Sequence, residues 1–159
     1  ARRQRQMCIR DRKKVLDTNP YLQKVCIVGA AEKLIKALHP NYGEKLKFYS
    51  ETELSHEEGW NRFSHEHLNE PVYISVDKDV LDIKSAVTNW DQGSLSLTEL
   101  EKLLSIILKK EEIIGVDICG ECSSSLDVFQ KNRELSINSK ANKELLNLFL
   151  SNQNEIHPL

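Results

Sequence analysis

The sequence contains few cysteines and no long hydrophobic run. Four cysteines in 159 residues are too few for a disulfide scaffold, so we expect a reducing compartment, the cytoplasm. The apolar runs are short and broken by charge, and the mean hydropathy is −0.46, so we expect no membrane span. No apolar segment follows the basic N-terminus, which predicts no secretory signal.

The composition is sufficient for one ordinary globular domain. Hydrophobic residues make up 40% of the chain and charged residues 29%, so the chain can fill a core. Residues 1–14 carry a net charge of +6 and the remaining residues carry −8. This acidic body argues against nucleic acid as the main partner, because binding to phosphates needs clustered lysine and arginine.

The first twelve residues form a lead that we set apart from the fold. The stretch from Met7 to Arg12 resembles the translated frame of a transposon-end adaptor, and a natural basic arm or a frayed helix start is the alternative. We therefore expect residues 1–12 to be non-native or disordered, and residues 13–159 to belong to a single domain.

Strand and helix signals alternate along the chain. Short β-branched or apolar runs predict strands at 24–29, 46–49, 72–76 and 113–118. Helical spacing predicts helices near 34–38, over 53–68, over 97–108 behind a capping box at Ser96 and Glu99, and from Ser139 onward. Residues 82–95 are expected to form a long loop. The alternation indicates an α/β fold with a parallel sheet covered on both faces.

Acidic residues stand where two of these strands end. In open α/β sheets, ligands bind beyond the carboxyl ends of the strands. Asp77 and Asp79 are two apart, and in an extended segment they would share a face and attract a hard cation such as Mg²⁺ or Mn²⁺. The alternative is that one aspartate caps the next helix and the other is solvated.

Glu121 follows the second of these strands. If the two strands pair, Glu121 faces the same crevice as the aspartates and could hold a cationic group or transfer a proton. A loop glutamate that binds the backbone is the alternative.

Residues 73–121 resemble the C-terminal half of the ureohydrolase superfamily, which includes arginase, agmatinase and formimidoylglutamase. Enzymes of this superfamily have a strand that ends Ser-x-Asp-x-Asp-x-x-Asp-Pro, and Ser75, Asp77 and Asp79 match it. A turn into a helix follows in both, and the strand motif Asp-Ile-x-Glu is matched by Asp117 and Ile118, with Glu121 one place late.

This resemblance implies a three-layer α/β/α fold and a site with two Mn²⁺ ions that hydrolyses a linear C–N bond. Asp77 and Asp79 would be metal ligands, and Glu121 would hold the cationic group of a guanidino or formimino substrate. The loop residues Asn89, Trp90 and Asp91 are candidates for the substrate pocket, although this loop is not the Gly-Thr-Pro type of arginase or agmatinase.

The remaining metal-ligand segments of the superfamily, Gly-Gly-Asp-His and Asp-Ala-His-x-Asp, do not occur in this sequence. We therefore expect a truncated, inactive portion of a larger enzyme, because a metal pair needs more donors than two carboxylates. A homo-oligomer is left open.

Three alternatives remain. The first is a related metal-dependent amide deacetylase, and the second is a non-catalytic binding protein with the same fold. The third is a redox or zinc role for the Cys-x-x-Cys motif at Cys119 and Cys122.

Overall fold

The computed structural model describes Lys14 and residues 17–36, 43–66, 70–89, 92–122 and 128–156. The fold is mixed α/β, as the sequence predicts. Its residues divide into two compact units, one ending at His65 and the other beginning at Glu66. The lead at residues 1–12 lies outside the described residues.

From residue 25 onward, the described part of the first unit contains a pair of parallel strands and three short helices. The elements are β1 (Val25–Val28), α1 (Glu32–Lys36), a 3-10 turn (Gly43–Lys45), β2 (Leu46–Tyr49), α2 (Glu51–Leu54) and α3 (Glu57–Ser64). Both predicted strands are confirmed, and they pair with Val25 opposite Leu46. The helix predicted within 53–68, with uncertain limits, is confirmed as α3, but the segment is not one continuous helix. Ser55 ends α2, and His56 has an extended backbone before α3 starts at Glu57.

The second unit contains the candidate site. Its elements are β3 (Val72–Asp77), a 3-10 turn (Lys78–Val80), α4 (Leu97–Lys110), β4 (Ile113–Cys119) and α5 (Val128–Ile156). The capping box is confirmed, since Ser96 and Glu99 hydrogen-bond each other's backbone N–H groups at the start of α4. The last helix begins well before Ser139, the start that we predicted. Its first turns are solvated, with Phe129 86% exposed, so an apolar stripe does not mark them.

The strands β3 and β4 lie side by side and run parallel, with Ser75 opposite Asp117 and Asp77 opposite Cys119. Ile74 and Val76 are buried on one face of this pair. On the other face, the described residues leave Tyr73 60% exposed, so they do not give the cover on both faces that we expected. A solvated face allows the alternating pattern that β3 shows.

The two long helices of this unit each bury one apolar stripe, and they contact each other. The buried residues are Leu100, Leu103, Leu104 and Leu108 of α4, and Ala141, Leu145 and Phe149 of α5. Although α5 is 29 residues long, neither it nor another helix in the described ranges has an apolar stretch that could cross a bilayer.

Candidate functional site

The aspartate pair lies where β3 ends. The strand stops at Asp77, and residues 78–80 form a 3-10 turn. The carboxylate of Asp77 caps this turn, because its Oδ1 accepts a hydrogen bond of 3.2 Å from the backbone N–H of Asp79. The expectation that both residues share the face of an extended strand is therefore wrong. Of the alternative, in which one aspartate caps the next helix and the other is solvated, the capping half is confirmed by Asp77. The other half is not, because Asp79 is partly buried. The role of Asp77 and Asp79 as metal ligands stays a prediction.

Between the two aspartates, Lys78 points into the protein and its side chain is 0% exposed. Lys78 follows the buried residues Ile74 and Val76 at intervals of two, so the alternation of side chains along the strand directs it to the same buried face. The ammonium group donates a hydrogen bond to Oδ1 of Asn142 at 2.8 Å and another to Oε1 of Glu121. A buried ammonium needs such partners, since leaving water without them is costly.

Glu121 comes to the same edge of the sheet from the end of β4. Its Oε1 also accepts a hydrogen bond of 3.0 Å from the Asn142 amide, while the side chain remains 54% exposed. Burial alone would raise the pKa of Glu121, but the hydrogen bonds from Asn142 and Lys78, together with the charge of Lys78, outweigh it and lower the pKa. Glu121 is therefore an ionised carboxylate that Lys78 already neutralises in part.

The glycine before Glu121 permits this approach. Gly120 has φ of +88°, in the left-handed region that favours glycine. A Cβ atom there would lie 2.9 Å from the backbone N of Lys78 and 3.1 Å from Oδ1 of Asp77. The missing side chain lets the end of β4 pass directly beside the end of β3.

Asn138 of α5 is 2% exposed and lies one helical turn before Asn142. Its Oδ1 accepts from the N–H of Val87 at 2.8 Å, and its Nδ2 donates to the carbonyl of Val87 at 2.7 Å. The two asparagines thus attach α5 both to the strand edge and to the loop that follows β3.

The thiols at Cys119 and Cys122 are not joined in a disulfide. Burial raises the pKa of the Cys122 thiol, and the charge of Glu134 raises it further. Its Sγ lies 3.9 Å from Oε2 of Glu134. Reactive Cys-x-x-Cys pairs have a lowered thiol pKa, so this environment disfavours a redox role.

The loop predicted over 82–95 folds back on the site. Leu95 pairs with Leu81 in a parallel bridge, and Gly93 donates its N–H to the carbonyl of Asp79 at 2.7 Å. A Cβ on Gly93 would lie 2.1 Å from the carbonyl oxygen of Val80, so only glycine fits this return. Asn89 is exposed at this loop, and the other two pocket candidates, Trp90 and Asp91, lie outside the described residues.

The fit of a metal to this edge is partial. Aspartate oxygens are the ligands that Mn²⁺ prefers. Across the described ranges, however, no three His, Cys, Asp or Glu side chains lie together in a group that could hold an ion. The described residues alone do not fit a two-metal centre.

The sequence correctly predicted that β3 and β4 bring their acidic ends to one edge. It missed three polar residues of that edge: Lys78, Asn138 and Asn142. A signal for Lys78 was available, because strand alternation from Ile74 and Val76 places it on the buried face, where a lysine requires an acidic or polar partner.

Comparisons with known proteins give one relative without an assigned activity. An uncharacterized protein of Thermotoga maritima is 39% identical over 103 residues, which are 64% of this chain and 35% of that protein. The chain therefore spans about a third of the length of the curated relative it matches. No protein-family profile matches the chain, and no solved structure matches it.

Proposed function

We propose that these residues belong to the C-terminal part of a metal-dependent hydrolase of linear C–N bonds, with a guanidino or formimino substrate, similar to arginase and agmatinase. The observation that supports it is the parallel pairing of β3 with β4, which brings the ends carrying Asp77 and Glu121 to one edge of the sheet. Ligands of α/β sheets bind beyond this edge.

In this proposal the two aspartates and Glu121 have different roles. Asp77 and Asp79 contribute two carboxylates to a Mn²⁺ site, and ligand segments that this sequence does not contain contribute the other donors. Glu121 is ionised and half exposed, which suits it to bind a cationic group of the substrate. The matched region is about a third of the Thermotoga maritima protein, so the relative has room for further ligand segments.

We extend the proposal to the setting of the enzyme. The protein works in the cytoplasm on a small molecule, and neither nucleic acid nor a membrane is its partner. Its three thiols that the structure describes are consistent with a reducing compartment, because they form no disulfide with one another.

A second candidate is a binding protein that has the fold without the metals. The position of Lys78 favours it, because its ammonium group lies between Asp77 and Asp79 in sequence and already compensates Glu121. A fixed cation at this edge reduces the net negative charge that would attract a divalent ion.

The test is a hydrolase assay on the protein expressed from its complete reading frame and loaded with Mn²⁺. We expect release of urea, ammonia or formamide from one member of a panel of guanidino and formimino compounds. The variants Asp77→Asn and Asp79→Asn should each lower kcat/KM roughly 100-fold or more, since they remove proposed metal ligands. Glu112→Gln, an exposed glutamate before β4, is the matched control and should leave activity unchanged.

Other outcomes assign the alternatives. Acetate release from acetylated amines would indicate the deacetylase. Binding of a guanidino compound without turnover, at full metal loading, would indicate the non-catalytic protein. The 159-residue chain alone should bind Mn²⁺ weakly, and tight stoichiometric binding with turnover would contradict the proposal that further ligands lie elsewhere.

A further inference from the structure

We propose that Lys78 and Asn142 are positioning residues, which hold the carboxylate of Glu121 in one orientation toward a cationic group of the ligand. The proposal rests on the proposed function, in which Glu121 binds that group. Neither residue needs to touch the ligand, because both act through Glu121.

The first support is the closed ring of contacts among the three side chains. The Asn142 amide accepts from the ammonium group of Lys78 at 2.8 Å and donates to Oε1 of Glu121 at 3.0 Å. Lys78 in turn donates to the same oxygen of Glu121. Each side chain is therefore fixed by the other two, and rotation of Glu121 would break two hydrogen bonds, both of them charge-assisted.

The second support is the contrast in exposure. The Lys78 side chain is 0% exposed, so it cannot reach a ligand in solvent. Glu121 is anchored at Oε1 and yet 54% exposed, so an incoming ligand can reach its carboxylate.

The third support is that the anchors stand on rigid elements. Lys78 continues directly from β3, and Asn142 lies in the middle of α5, next to the buried Ala141 and Leu145. Gly120 brings the end of β4 against the backbone of Lys78. A carboxylate ordered before binding loses less conformational entropy when a guanidinium or ammonium group arrives.

The experiment uses the full-length protein and a double-mutant cycle between Asn142 and Glu121. Asn142→Leu removes both hydrogen bonds and keeps the branched shape of the side chain, and Glu121→Gln removes the charge. We expect Asn142→Leu to raise KM for the guanidino substrate about tenfold, with kcat within twofold of wild type. The double variant should be no worse than Glu121→Gln alone, because Asn142 acts through Glu121. Asn147→Leu, exposed on the same helix, is the control.

A second variant covers the case in which Asn142→Leu does not fold. Asn142→Asp keeps the acceptor for Lys78 but replaces the donor to Glu121 with a negative charge. We expect it to raise KM as Asn142→Leu does, and circular dichroism checks the fold of both variants.

The outcomes separate this inference from the proposed function. If the wild type binds agmatine in calorimetry but hydrolyses nothing, the hydrolase is wrong, and the same cycle measured on the Kd of agmatine decides the positioning role. If it neither binds nor hydrolyses any compound of the guanidino and formimino panel, both are wrong. If the wild type is active, two results would overturn the positioning role alone. The first is that the effects of Asn142→Leu and Glu121→Gln on KM add in full. The second is that Asn142→Leu lowers only kcat.

Discussion

The ammonium group of Lys78 and the side-chain amide of Asn142 lie 2.8 Å apart, although 64 residues separate them in the sequence. This hydrogen bond joins the end of β3 to the middle of α5. Glu121 forms hydrogen bonds with both residues. The three side chains therefore link three elements of the second unit: the end of β3, the helix α5 and the segment after β4. The chemistry of the candidate edge and the stability of this unit therefore depend on the same three side chains.

The first prediction compares the stability that is lost when either partner of the Lys78–Glu121 pair is replaced. Glu121→Ala should lower the free energy of unfolding by about 3 kcal/mol, because it leaves the ammonium of a fully buried lysine without its main counter-charge. Lys78→Met removes that charge and keeps most of the volume, so it should cost less, about 1 kcal/mol. Urea denaturation followed by circular dichroism measures both, with Glu112→Ala as the exposed control. A larger loss for Lys78→Met than for Glu121→Ala would contradict the dependence of the buried Lys78 ammonium on Glu121.

The second prediction concerns the attachment of α5 to the loop after β3. Asn138→Ala removes both hydrogen bonds to the backbone of Val87 inside the protein, and should cost about 2 kcal/mol. The amide proton of Val87 should then exchange faster in hydrogen-exchange measurements. Asn132→Ala, exposed on the same helix, should change neither quantity. Unaltered protection at Val87 in Asn138→Ala would show that the helix does not fix this loop.

The elements that the sequence predicted best are those whose signals are local. The strand from Val72 is a β-branched and aromatic run, and the start of α4 is marked by Ser96 and Glu99 alone. The start of α5 was missed because residues 129–137 are mostly exposed and their apolar residues follow no single stripe. Local signals therefore predict element type more reliably than element limits.

The candidate site was harder to predict because its geometry depends on distant contacts. The turn after Asp77 forms where Leu95 returns alongside Leu81 and where Gly120 approaches Lys78. Nothing in the segment 75–82 itself shows that the strand stops at Asp77. Strand alternation indicates the inward direction of Lys78. Nothing local indicates its partner, because Asn142 lies 64 residues further along the chain, on α5.

The third prediction tests the thiol environment of Cys122. Its pKa is raised by burial and by the charge of Glu134, so the thiolate fraction near neutral pH is below that of an ordinary cysteine. Alkylation by iodoacetamide should be slower than that of glutathione at pH 8, and it should accelerate only at higher pH. Glu134→Gln removes one cause of the shift and should increase the rate, as peptide mass spectrometry can measure. Rapid alkylation of Cys122 at neutral pH would instead favour a redox pair with Cys119.

The fourth prediction concerns the capping box of α4. The backbone N–H and hydroxyl group of Ser96 donate to Oε2 of Glu99 at 2.8 and 2.7 Å. The hydrogen bond from the backbone is the largest cause that lowers the pKa of Glu99, followed by the bond from the hydroxyl. Ser96→Ala should cost about 1 kcal/mol of stability, as loss of an N-cap does.

The pH dependence of this capping box has a definite sign. Because the pKa of Glu99 is lower in the folded than in the unfolded chain, its contribution to stability is present above the ordinary pKa of glutamate. That contribution is lost as the pH falls through the folded-state value. The stability difference between wild type and Glu99→Gln should therefore be largest near pH 7 and vanish in strong acid, whereas Glu101→Gln in the same helix provides the comparison. A difference that grew on acidification would mean that Glu99 is held protonated, and the carboxylate could not then be the acceptor that starts α4.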